Sequence, residues 1–131
     1  MSPNESKAKI LVVDDEPLIV LVLTSVLSLE GHEVVSAGNL EDARKEFDRC
    51  AFPVVITDLR LSDSESMEGL ELIRHVKASS PKTGVIVMSA SASEDTRNEA
   101  HVLGASRYHS KPFDIDEMLG SVRDMAHAYI Q

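Results

Sequence analysis

The chain is predicted to fold as a doubly wound α/β domain, a five-stranded parallel sheet with five helices distributed over both faces. Three observations lead there. Aliphatic runs without polar alternation, Ile10-Leu11-Val12-Val13, Val54-Val55-Ile56-Thr57 and Val85-Ile86-Val87-Met88, suit strands buried on both faces. Longer amphipathic segments with helix start and stop signals separate them, and strict alternation of the two implies right-handed crossovers. The 131 residues, 43% hydrophobic and 27% charged, have the size and composition of one ordered domain, with a core from about residue 8 to residue 129.

The elements follow in order. The first strand, Ile10 to Val13, stops at Asp14-Asp15. Pro17 opens a helix to about Leu29 and Gly31 closes it, a punctuation that outweighs the Val and Ile content. At 100° per residue Leu18, Ile19, Val22, Val26, Leu27 and Leu29 gather on one broad apolar face, with Val20 and Leu21 outside it or at its edge. A wide buried face is the plainer expectation, an exposed apolar patch the alternative. Glu33 to Ser36 is a second strand, and Asn39 caps a helix to about Arg49 with Ala43 and Phe47 inward. Pro53 starts the third strand, which ends at Asp58. A polar loop from Leu59 to about Met67 leads to a helix through Leu70, Leu72, Ile73 and Val76. Pro81 and Gly84 mark a turn before the fourth strand, Val85 to Met88. Ser93 caps the fourth helix and Gly104 ends it. Ala105 to Ser110 is the fifth strand, Lys111-Pro112-Phe113 a turn, and Asp114 to about Tyr129 the last helix.

Charge and composition exclude several classes of function. Thirteen Lys and Arg against 22 Asp and Glu give a net charge of −9, which argues against nucleic-acid binding and against docking to an anionic membrane. No apolar run is long enough to span a bilayer, the first nine residues lack a secretory core, and the single Cys50 cannot close an internal disulfide. A cytoplasmic setting is expected. Cys50 is expected to be an unreactive buried or loop thiol, and His32, His75, His101, His109 and His127 lack metal-ligand spacing.

The chemistry concentrates at strand ends. In an open α/β sheet, ligands bind outside the carboxyl ends of the strands, where strand order reverses. The first strand ends in Asp14 and Asp15, the third in Asp58 and the fourth in Ser89, while Lys111 follows the fifth. If the first and third strands are neighbours, three carboxylates converge and call for a cation. Oxygen ligands with room for water favour Mg²⁺, or Mn²⁺, over zinc. An ammonium and a hydroxyl on the same edge supply what a transferred phosphoryl group needs.

This constellation resembles the receiver domain of two-component response regulators, in particular the chemotaxis type, over almost the whole chain. Asp14-Asp15-Glu16-Pro17 is similar to the family's acidic pair, Asp58 to its phosphoacceptor, Ser89-Ala90 to its Ser/Thr position, and Lys111-Pro112-Phe113 to its Lys-Pro-Phe. Tyr108 is similar to the aromatic that changes rotamer on activation. The resemblance implies a flavodoxin-like sheet of order 2-1-3-4-5 and a cis Lys111–Pro112 bond. It implies Mg²⁺ held by Asp15, Asp58 and the carbonyl of Arg60, with Asp14 acting mostly through water. Lys111 and Ser89 would hold phosphoryl oxygens, and Ser89 and Tyr108 would switch. Implied partners are a sensor histidine kinase or phosphotransfer protein. A second copy or an effector domain would meet the face of the fourth helix, fifth strand and fifth helix. One departure stands out. The loop from Leu59 to Glu68 is about three residues longer than usual, with Ser62 in place of the family's Pro. A phosphohydrolase with an aspartyl nucleophile lacks its Asp-x-Asp pattern here. A flavin carrier would need a Ser/Thr/Gly-rich first loop, where Asp14-Asp15-Glu16 would repel the flavin phosphate.

Overall fold

A computed structural model describes residues 7–61, 67–90 and 93–130 of the chain. Strands β1 (Lys9–Val13), β2 (Glu33–Ala37), β3 (Val54–Asp58), β4 (Gly84–Ser89) and β5 (Arg107–Ser110) alternate with helices α1 (Pro17–Leu29), α2 (Leu40–Arg49), α3 (Glu68–Ser79), α4 (Glu94–Leu103) and α5 (Ile115–Tyr129). All strand pairs are parallel, in the order β2-β1-β3-β4-β5. The order reverses beside β1, so the helices fall on both faces.

Strand alternation divides the core in two. Ile10, Val12, Val54, Ile56, Ile86 and Met88 point to the layer built from Leu23 and Leu27 of α1 and Met118, Val122 and Ala126 of α5. Leu11, Val13, Val55, Val85 and Val87 point the other way, to Ala43 and Phe47 of α2, Leu72, Ile73 and Val76 of α3 and Ala100 of α4. The three central strands are thus apolar on both faces because both faces are covered.

Local signals hold the helix ends, with the caps at Asn39 and Ser93 as expected and a third at Asp114, just before α5 rather than within it. Asn39 Oδ1 accepts from the Asp42 N–H at 2.8 Å, Ser93 Oγ from the Thr96 N–H at 3.1 Å and Asp114 Oδ1 from the Glu117 N–H at 2.9 Å. Gly104, at φ +121°, closes α4 and lies over the aliphatic stem of Lys77. Lys77 in turn donates to the carbonyl of Thr83 at 2.6 Å, binding the end of α3 to the turn that follows.

Three expectations need correction. The buried face of α1 is Leu23 and Leu27, with Ile19, Val20 and Val26 packed at its margin. Leu18, Leu21 and Leu29 are 69%, 62% and 87% exposed, so of the expected wide buried face Leu27 is covered while Leu18 and Leu29 lie in solvent, and Leu21 is exposed as the alternative had it. The helix is apolar almost all round, and only docking on the sheet decides which side is covered. Gly84 belongs to β4 rather than to the preceding turn, because it pairs with Val54 and its N–H donates to the Pro53 carbonyl at 2.9 Å, while Met125 of α5 packs where a Cβ would stand. β5 starts at Arg107, not Ala105. The Ala105 N–H is spent on the carbonyl of Ala100 at the end of α4, and the Ser106 N–H joins the sheet at the carbonyl of Val85 at 2.8 Å.

Candidate functional site

Strand register builds the site. Val13 pairs with Thr57, so Asp14 and Asp58 leave neighbouring strands side by side. Asp58 pairs with Met88, which puts Ser89 one residue further along the same edge. Ser89 pairs with Ser110, and the Lys111 N–H donates to the Ser89 carbonyl at 2.8 Å, bringing the lysine over that edge. The Lys111–Pro112 bond is cis, as the resemblance implied.

Lys111 Nζ lies between the two carboxylates, 2.8 Å from Asp14 Oδ2 and 2.6 Å from Asp58 Oδ2. Glu16 Oε2 stands at 3.4 Å. The remaining carboxylate oxygens take backbone donors: Asp14 Oδ1 accepts from the Glu16 N–H at 2.9 Å and Asp58 Oδ1 from the Arg60 N–H at 3.0 Å. Asp14, Asp58 and Ser89 are all buried. Burial raises the Asp14 carboxyl above the usual aspartate range, and Asp58 adds to this. The hydrogen bonds from Lys111 and the Glu16 N–H pull the other way without cancelling it. Burial also works against the Lys111 ammonium, but hydrogen bonds to Asp14 and Asp58, and their charges, outweigh it and hold its pKa above the ordinary lysine range. Lys111 is therefore a fixed cation in the pH range of a cell.

Asp15, Glu16, Asp58, Arg60, Ser89, Ala90 and Lys111 line an open cavity of about 180 Å³. That is below the ~300 Å³ at which pockets for organic ligands begin, and leaves room only for an ion or a small group. The predicted site residues thus fall into three groups. Asp14, Asp58 and Lys111 are in direct contact, while Asp15, Arg60 and Ser89 form the cavity wall. Tyr108 is not in the cavity but lies in a groove between α4 and β5. Among the described residues no three His, Cys, Asp or Glu side chains form a ready metal cage, because Lys111 fills the space between Asp14 and Asp58. Loop residues 62–66, including Ser62, lie outside the described residues.

Two contributors escaped sequence reasoning. Glu16, read only as part of an acidic run, reaches both Lys111 and the cavity. Lys9, far from Cys50 in the chain, lies beside its thiol and over the Phe52 ring at 5.7 Å. Nothing in the sequence around Cys50 signals this, since Lys9 and Cys50 come together only where α2 packs against β1. Of the histidines, His32 pairs its Nδ1 with the Ala8 N–H, His75 pairs with Asp48, and His109 with Ser121.

A parallel 2-1-3-4-5 sheet whose carboxyl edge carries an aspartate gripped by a lysine is the arrangement of a receiver domain. The chain belongs to the response regulator receiver domains of two-component systems, whose family model matches residues 10–123. Among curated relatives, it is 32% identical over 115 residues to sporulation initiation phosphotransferase F of Bacillus subtilis, covering 88% of this chain and 90% of that one. It is 38% identical over 117 residues to the DNA-binding transcriptional regulator NtrC of Azospirillum brasilense, covering 89% of this chain but 24% of that protein. It spans 46% of the Mycobacterium tuberculosis transcriptional regulatory protein TrcR, at 31% identity over 92% of this chain. Among solved structures, the beryllofluoride-activated NtrC4 receiver domain dimer superposes with a TM-score of 0.83 at 32% identity, covering 92% of this chain and 98% of that one. The CheY-like receiver domain protein of Methanospirillum hungatei gives 0.86 at 25% identity, covering 93% and 95%.

Proposed function

We propose that this receiver takes a phosphoryl group on Asp58 from a phosphohistidine of a sensor kinase or phosphotransfer protein, or from a small acyl phosphate, and changes its output surface in response. The observation that carries this reading is the 2.6 Å contact between Lys111 and Asp58 at the wall of a small open cavity. An Asp58 carboxylate oxygen attacks phosphorus while the phosphorus–nitrogen bond of the donor breaks, and the imidazole leaves with a proton. Lys111 and the Ser89 hydroxyl then hold phosphoryl oxygens, which requires Lys111 to loosen its grip on the carboxylates. The chain promotes its own phosphorylation and dephosphorylation and turns over no other substrate.

The donor set fits Mg²⁺, with Mn²⁺ as a substitute. Asp15 and Asp58 offer hard oxygens at the cavity, and the burial cost on Asp14 is of the kind a nearby cation relieves. Asp15, Asp58 and the carbonyl of Arg60 would hold the ion, with Asp14 mostly through water. Bound there, it neutralises charge on the transferred group.

The output face is α4, β5 and α5, which would meet an effector domain or a second copy of the chain. No helix among the described residues is long and apolar enough to cross a membrane, and the cytoplasm is the proposed location. The test is intact mass after acetyl phosphate and Mg²⁺. One hydroxylamine-labile phosphoryl group is expected on the wild type and none on Asp58→Asn. Equal labelling of that variant refutes the assignment.

A further inference from the structure

Tyr108 stands opposite Val87, on the sheet face that carries Val85 and Val87 into the α2–α4 layer. Alternation places Ser89, two residues beyond Val87, on that same face. His109, the next residue of β5, points to the opposite layer, where its Nε2 lies 2.9 Å from Ser121 Oγ of α5. On the receiver reading above, the Tyr108 ring has two directions to take on the α4 side. One runs along the surface of β4 toward Ser89, and the other runs into the groove between α4 and β5.

The ring is in the groove. Glu94, Arg97, Asn98 and His101, all from α4, line it together with Tyr108. Arg97 lays its guanidinium on the ring, with Cζ 4.3 Å from the ring centroid. That is inside the ~6 Å over which a cation is attracted to an aromatic face. The start of α4 is fixed by the Ser93 cap at 3.1 Å, so Arg97 projects from an anchored turn. The other arginine at this end of the groove, Arg107, is committed to Asp124 of α5 at 3.0 Å. The stack exists only while the ring lies in the groove, because movement toward Ser89 carries the aromatic face away from α4.

We propose that Arg97 is a positioning residue that holds Tyr108 in the α4–β5 groove in the unphosphorylated chain and so sets the threshold for switching. The inference rests on the receiver reading above and assigns it a specific brake. Arg97 touches neither the cavity nor Asp58 and acts only through the aromatic ring. Its side chain is exposed, so the bias is that of a surface cation–π contact, roughly two- to fivefold in the ratio of the two ring positions. By linkage, a group that binds the inward arrangement better meets the same factor as a reduced apparent affinity.

The experiment uses the full chain with ring-labelled tyrosine, as wild type, Arg97→Gln and Arg97→Lys, observed by NMR before and during titration with beryllofluoride and Mg²⁺. In the free state, Arg97→Gln is expected to move the Tyr108 ring signals toward their beryllofluoride-saturated positions. Its apparent beryllofluoride affinity should rise roughly two- to fivefold, with Arg97→Lys returning part of the way. Free-state ring signals of Arg97→Gln that coincide with wild type overturn the proposal, as does an unchanged affinity. A lowered melting temperature with unmoved ring signals overturns it too, since that is a purely structural role. A wild type that neither binds beryllofluoride nor labels at Asp58 brings down the receiver reading itself, a failure visible without any Arg97 variant.

Discussion

Lys111 sets a single ammonium against two buried carboxylates, 2.8 Å from Asp14 and 2.6 Å from Asp58. Removing one partner of a buried charge network leaves the others uncompensated in a poorly solvated place. Lys111→Met is therefore expected to cost about 3 kcal/mol in urea unfolding, and the double variant Lys111→Met/Asp14→Asn to recover part of that loss. An equal or larger loss in the double variant would show that Lys111 acts by packing rather than by charge. The same residue shows where sequence reading reaches and stops. That Lys111, Asp14 and Asp58 lie on one edge follows from strand ends and a familiar motif. That Glu16 joins them at 3.4 Å depends on how the first turn of α1 leaves the sheet.

At the scale of elements, capping and aliphatic runs were enough to place ten elements in order, while faces and ends depended on packing. α1 is the clearest instance, since its sequence offers apolar residues on nearly every side and the sheet selects one. Leu23→Ala is expected to cost about 2–4 kcal/mol, as large-to-small changes at fully buried positions do. Leu29→Ala, at the exposed end, should stay within about 0.5 kcal/mol. Chemical denaturation of the two variants checks this, and similar losses for both would restore the wider buried face. The first turn of α3 shows a second limit. Gly69 donates its N–H to the Leu59 carbonyl at 2.9 Å, and a Cβ there would collide with the Asp58 carbonyl oxygen and stand 2.6 Å from Leu59 Cα. The glycine is visible in the sequence, but its approach to the backbone of the site residue is a tertiary fact.

At the scale of the whole molecule, solution conditions reach the fold through two distant groups. His32 is buried, and its Nδ1 accepts the Ala8 N–H at 3.0 Å, which requires an unprotonated Nδ1. Burial lowers its pKa below the ordinary 6.5, with Glu30 raising it and Arg123, paired to Glu30 at 3.1 Å, lowering it. Burial shifts His109 in the same direction. Stability from these neutral imidazoles is complete above pH 6.5 and is lost as the unfolded chain takes up protons that the folded chain refuses. The melting temperature should fall between pH 7 and pH 5. His32→Asn, which keeps an acceptor near the Nδ1 position but cannot titrate, should flatten that slope, and an unchanged slope would remove His32 from the account. At the opposite end of the sheet, Mg²⁺ should stabilise by mass action, about 1.4 kcal/mol at tenfold excess over its Kd, or roughly 5 °C. Asp15→Ala should abolish that shift, and an equal shift in the variant would move the metal elsewhere.

What the sequence determined by itself is the part written in local chemistry and periodicity. That part comprises the alternation of strands and helices, the caps at Asn39 and Ser93, and the aspartates and lysine at strand ends. Such signals survive without long-range knowledge because each acts within one turn of helix or along one strand. The tertiary structure alone decided which side of α1 is covered, that Glu16 reaches Lys111, that Lys9 meets Cys50, and that Arg97 lies on Tyr108. Each of these joins residues of different elements, or turns a uniformly apolar helix by a fraction of a turn. The free energy that chooses among such arrangements comes from burying particular surfaces against one another, which no local segment carries.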